Sequence, residues 1–167
     1  MPTGPRTQAS SGVVLGLCAT SRLLGAALAS DGVLVALPVA RLGHGAESTA
    51  AIRRLLARYR PRFVAYDFRD DDALGSFAEL VHSEVAMHRA TAFPVTRTET
   101  GRLLGLDKPL DLAIAAAIAR RMPSLRIRTG LRPESFRSPR SENVRYWTPA
   151  FLAVAIALVA THTDSSS

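Results

Sequence analysis

Over the first forty positions, apolar residues come in short unbroken runs rather than at helical spacing. Val13-Val14-Leu15-Gly16-Leu17, Leu23 to Ala29 and Val33 to Leu37 each have the length of a strand. Thr20-Ser21-Arg22 is a polar turn between the first two. Ser30-Asp31-Gly32 is a hairpin signal between the second and third, because Asp-Gly tolerates the positive φ that two-residue turns require. The stretch Gly12 to Val39 therefore predicts three consecutive antiparallel strands. Any function is expected at the tip of the first.

Beyond Leu42 to Gly45, which reads as a loop, the period changes. Ile52, Leu55, Leu56 and Tyr59 fall at i, i+3, i+4 and i+7 and predict a helix from Ala46 to Tyr59, stopped by Pro61. Phe63 to Tyr66 has the bulk of a short buried strand that ends at Asp67. Among the acids that follow, Asp70 to Asp72 suit the cap of the next helix, where carboxylates stabilise free N–H groups. Asp67 precedes the turn and is harder to read as a cap. Leu74, Phe77, Val81, Val85 and His88 mark a helix over Ala73 to His88, with His82 and His88 as surface histidines. Thr91 to Val95 contains Pro94 and reads as an edge strand or strand end. Thr96-x-x-Glu99 is a capping-box pattern opening a short helix to Leu104, closed by Gly105.

Asp107 to Arg121 predicts a long helix with Leu110, Ala113, Ile114, Ala117 and Ile118 inward. Met122 to Arg140, broken by three prolines and Gly130, is the least regular segment. Thr148-Pro149 then supplies an N-cap and a first-turn proline. Ala150 to Ala160 is apolar on every face, so it belongs at the centre of the fold.

Composition changes this picture in two places. At 167 residues with 47% hydrophobic content, the chain suits one domain with a sizeable core. That domain is expected over 12–160, between loose tails at 1–11 and 161–167. The single cysteine, Cys18, rules out an intrachain disulfide and a cysteine-rich zinc site and suits a reducing compartment such as the cytoplasm. The polar N-terminus lacks a secretory pattern, and an apolar window of 11 residues falls short of the roughly 20 a bilayer span takes. A soluble protein is expected, neither secreted nor membrane-spanning.

The second place is charge. The chain carries +7, and Lys108 is its one lysine. Eight arginines against two glutamates lie between Arg120 and Arg145, which concentrates most of that charge in one segment. Such a run is either a solvated loop or an arm on a phosphate backbone, where guanidinium forks match phosphate oxygens.

The order of elements, with its local motifs, resembles the ribonuclease H-like superfamily and its RuvC-like Holliday-junction resolvase branch. Leu15-Gly16-Leu17-Cys18-Ala19-Thr20-Ser21-Arg22-Leu23-Leu24-Gly25 is similar to that branch's first strand, small-residue turn and glycine-bearing second strand. Arg60 to Asp67 resembles its helix exit and carboxylate-ended fourth strand. Lys108 and Ala119 to Pro123 are similar to its lysine-led helix ending in a proline before a basic loop, and Ser141-Glu142 and Phe151 to Ala157 to its Ser-Glu pair and last helix. The resemblance covers residues 13 to 160. It implies an α/β fold with a mixed sheet: three antiparallel strands, then alternating helices and strands, and a buried C-terminal helix.

What the resemblance implies for chemistry is two divalent cations, Mg²⁺ or Mn²⁺, held by carboxylates from the first strand, the fourth strand and the last helix. Here those positions carry Cys18, Asp67 and Leu152. A thiolate is a poor Mg²⁺ ligand and leucine is none. One expectation is therefore a protein of this fold that binds structured nucleic acid, branched DNA above all, with a degenerate metal site. Arg22, Lys108, Arg120, Arg121, Arg137, Arg140 and Arg145 would carry the binding. A second is an active endonuclease with a rearranged set, Asp67, Asp70 and Glu142, as catalytic residues. A third is a protein-interaction module, and the resemblance implies a possible homodimer. Cys18 as a nucleophile lacks a histidine fixed near it and reads as a small buried hydrophobe. A kinase- or actin-like ATPase needs two domains and a second phosphate loop, which Gly101 to Gly105 does not provide.

Overall fold

The computed structural model describes residues 12–20, 23–31, 33–41, 46–67 and 72–164. The hairpins form as the turn residues require: β1 (Val14–Ala19) pairs antiparallel with β2 (Leu23–Ser30), and Asp31 turns the chain at a φ of 52°. The third strand is not one piece. Pro38 lacks the N–H a ladder needs, so β3 (Val33–Ala36) and β4 (Val39–Arg41) pair separately with β2, and the Pro38 carbonyl accepts from Ala26 between them. Helix α1 (Ala46–Tyr59) leads to β5 (Phe63–Asp67), which lies parallel to β1. Helix α2 (Asp72–Met87) leads to β6 (Thr91–Val95), parallel to β5 and at the sheet edge, where Pro94 is tolerated. The sheet order is β3-β2-β1-β5-β6, with β4 beside β2. This is the mixed α/β sheet expected.

Residue alternation divides the core into two layers. Leu15, Leu17, Leu24, Leu28, Val64 and Tyr66 meet Ile52 and Leu56 of α1 and Val81 and Val85 of α2 on one face. Val14, Cys18, Ala27, Ala65 and Val95 meet the later helices on the other. On the first face, Arg53 of α1 donates from Nε and an NH₂ group to the two oxygens of Glu84 of α2, at 3.1 and 2.9 Å.

This clamp sets a pH dependence. The Arg53 guanidinium holds the Glu84 carboxyl below the usual carboxylate range, with burial working against it. The carboxyl is thus harder to protonate when folded than when unfolded. Its stabilisation is fully present above the unfolded value, about 4.3, and is lost as pH falls through the lower folded value. In urea unfolding at stepped pH, Glu84→Gln is expected to flatten the acid side of the stability curve relative to wild type. Parallel curves would show that the clamp contributes nothing.

The second face is covered by α3 (Arg97–Leu104), α4 (Asp111–Arg121), α5 (Leu125–Thr129), a 3₁₀ turn Pro133–Arg137 and α6 (Glu142–Asp164). Four expectations change here. Pro109 delays α4 to Asp111, and Leu110 is exposed rather than inward. The segment after Met122 is not a loop, because Leu125, Leu131 and Phe136 anchor it, Phe136 edge-on to Phe151 at 5.1 Å. Helix α6 begins at Glu142, so Thr148 is no N-cap and Pro149 lies inside the helix; Thr148 donates instead to the Val144 carbonyl one turn back. It also runs through Asp164, past the expected boundary at 160.

Glu142–His162 is long and apolar enough to cross a bilayer by length and composition, yet 67% of its most apolar window is buried. What covers it is the sheet. A Cβ on Gly16 would stand 2.3 Å from the Ala153 carbonyl oxygen, and one on Gly25 would stand 2.1 Å from the Pro149 carbonyl carbon. Two glycines, one on each of two paired strands, let the helix backbone lie directly on the sheet.

Candidate functional site at the carboxyl ends of the parallel strands

Strands β1, β5 and β6 run parallel and end at the same edge, which in open sheets is where ligands bind. Leu17 stands opposite Tyr66, so the next residues, Cys18 and Asp67, meet on the α6 face. The Cys18 thiol faces Asp67 Oδ2 at 3.7 Å, long for a hydrogen bond even to sulfur. Asp67 is 8% exposed, well buried for a carboxylate. Facing it from α6 are Leu152 and Ile156, one turn apart. The position where the resemblance places a last-helix carboxylate is thus beside Asp67, and it is apolar.

Two residues that the sequence did not single out complete the site. Arg97 opens α3 two residues after β6 and Asp111 opens α4; both line the same cavity as Asp67, with Thr100 and Ile114. An Arg97 NH₂ group lies 2.6 Å from Asp111 Oδ1. The cavity measures 10 Å³, about one water-sized probe sphere.

The other residues read from the sequence lie elsewhere. Arg22 and Asp70 lie outside the described residues. Glu142 is exposed at the start of α6, ten residues before Leu152 and so about 15 Å away along the helix axis. The trio of Asp67, Asp70 and Glu142 is not assembled among the described residues, since Asp70 lies outside them and Glu142 stands at the start of α6. Among the described residues, no three His, Cys, Asp or Glu side chains stand together in a way that could hold a metal ion. The donor set around Asp67 therefore does not fit the pair of hard cations that the resemblance implies.

Lys108 and all eight arginines from Arg120 to Arg145 are exposed. Arg120 and Arg137 share an open groove of 240 Å³ between α4 and the 3₁₀ turn, floored by Leu112, Ala116 and Phe136. From Asp111 to Arg120 is nine residues of helix, about 13 Å. The basic surface thus starts about four nucleotide steps from Asp111, at 3.4 Å per step.

This geometry has counterparts among solved structures. Thermus thermophilus RuvC in complex with Holliday junction substrate superposes with a TM-score of 0.60 at 18% identity, over 92% of this chain and 96% of that one. The Fowlpox virus resolvase, in a complex with substrate Holliday junction DNA, gives 0.53 at 7% identity, over 90% and 97%. The chain has a RuvC-like fold. No protein-family model matches the sequence, and no curated protein matches it. The RuvC-like likeness therefore lives in the backbone path, in which β1 and β5 bring Cys18 and Asp67 together.

Proposed function

We propose that this RuvC-like chain binds structured nucleic acid, branched DNA in particular, without cutting it by two-metal chemistry. The observation that carries the reading is the run of eight exposed arginines between Arg120 and Arg145, in a chain whose described residues bring no three metal-ligating side chains together. Guanidinium groups at this density neutralise backbone phosphates and release their counterions, so affinity should fall steeply with salt. The buried second-face residues Leu125, Leu131 and Phe136 hold this segment against α4 and α6, so the arginines are presented from a fixed base. Two of the solved neighbours are complexes with Holliday junctions, which makes a four-way junction the natural first ligand.

The competing reading is an active endonuclease. Asp67 and Asp111 do share a cavity, but Arg97 pairs with Asp111, and Leu152 and Ile156 offer no ligand. A labelled four-way junction, its matching duplex and a single strand, each titrated with Mn²⁺ or with chelator, separates the two. Expected is salt-sensitive junction binding that is the same in both conditions, with the strands left intact. Mn²⁺-dependent cutting that disappears in Asp67→Asn would overturn the proposal. Absence of binding at low salt would overturn it as well and favour a protein-interaction role.

A further inference from the structure

We infer that the Arg97 guanidinium is the resident cation of the Asp67 site, standing in for divalent metal and excluding it. Three independent features place it there. The first is backbone fixation. The Thr96 capping box is complete: the Thr96 N–H donates to Glu99 Oε2 at 2.7 Å, and the Glu99 N–H donates to Thr96 Oγ1 at 3.2 Å. This fixes the first turn of α3 directly behind β6, so Arg97 leaves the sheet edge from a rigid base.

The second is packing. Gly101 lies one helical turn after Arg97, and a Cβ there would meet the Pro109 side chain at 2.8 Å. The missing side chain lets α3 press against Pro109, two residues before Asp111. Beside this close approach, Arg97 and Asp111 form their 2.6 Å ion pair.

The third is the balance of charge and space. Arg97, Asp67 and Asp111 line one 10 Å³ cavity whose remaining wall is Thr100, Ile114, Leu152 and Ile156. A positive charge paired with Asp111 already lines the cavity that both carboxylates share, and a second cation would be repelled at this range. The guanidinium neutralises Asp111 by close charge contact, which a hydrated ion could match only with room for its waters. The site is thus the inverse of a metal centre: its cation is covalently part of the chain.

The inference rests on the site and not on nucleic-acid binding, and its test uses the free protein. Mn²⁺ is titrated into the full chain, with bound metal read by electron paramagnetic resonance and the thermal midpoint followed in parallel. Wild type is expected to show neither site-bound Mn²⁺ nor a metal-dependent midpoint. Arg97→Ser is expected to gain saturable binding about tenfold or more tighter than wild type, and a further Asp111→Asn or Asp67→Asn removes it. Wild-type binding that depends on Asp67 overturns the inference, as does a folded Arg97→Ser that is as blind to Mn²⁺ as wild type. If Arg97→Ser does not fold, Arg97→Lys decides. Folded and Mn²⁺-blind, it supports a charge role; unfolded or Mn²⁺-binding, it overturns one.

Discussion

Gly25→Ala is expected to lower the thermal midpoint by about 10 °C, and Gly25→Val to yield no folded protein. The added methyl would sit 2.1 Å from the Pro149 carbonyl carbon and 2.3 Å from the Ala150 nitrogen. Both are backbone atoms, so no side-chain rotation relieves the clash. Either α6 lifts off β2 or the strand bends away. Overpacking of this kind costs about 3 kcal/mol, and in a chain of this size each kcal/mol is worth roughly 2–4 °C. The site would move too, because Gly25 pairs with Cys18 across the ladder and α6 carries Leu152. Gly105→Ala is the control: its φ of 68° is strained for alanine, but nothing lies within 4 Å of the new methyl. It is expected to cost about 1 kcal/mol. A Gly25→Ala midpoint no lower than that of Gly105→Ala would contradict the close helix-to-sheet approach.

Removing four guanidinium groups from the basic segment is expected to have the largest effect on binding. Arg126, Arg128, Arg137 and Arg140 are exposed, so their replacement by glutamine should leave the fold intact, within about 0.5 kcal/mol each. Each arginine on a phosphate contributes close to one unit to the slope of log affinity against log salt. The fourfold variant is therefore expected to bind a four-way junction at least about 100-fold more weakly near 0.1 M salt, with a slope shallower by about 3.6. Fluorescence anisotropy across a salt series measures both quantities. Unchanged affinity and slope would locate the interface elsewhere on the molecule.

How much of this was legible in the sequence depended on how local the cause was. The β1–β2 hairpin, the Asp31 turn and the Thr96 capping box are set by residues a few positions apart, and the structure forms them as read. The buried last helix was also visible, since Phe151 to Ala160 has no polar face. Its start was not. Proline within a helix normally marks the first turn, so Pro149 concealed the two turns that precede it. Met122 to Arg140 misled for a similar reason: its prolines and arginines hide the anchors Leu125, Leu131 and Phe136, which are too widely spaced to show a period.

The site shows the same division. Asp67 stood out because a carboxylate at the end of an apolar strand has no local explanation, and Cys18 and Leu152 followed from the resemblance. Arg97 and Asp111 looked like ordinary first-turn residues of two helices. The contact between them joins two helices, a tertiary event without a periodic signature. Glu142 reads in the sequence as a residue before the last helix, whereas α6 begins at Glu142, ten residues before Leu152.

The central claim is binding without metal-dependent cutting, and one measurement addresses it most directly. A four-way junction labelled on each strand is held with saturating protein in millimolar Mn²⁺ and then run on a denaturing gel, beside a native gel of the same mixture. The account predicts a shifted complex on the native gel and four intact strands on the denaturing one. Strands cut in Mn²⁺, intact in chelator and intact with Asp67→Asn would contradict it.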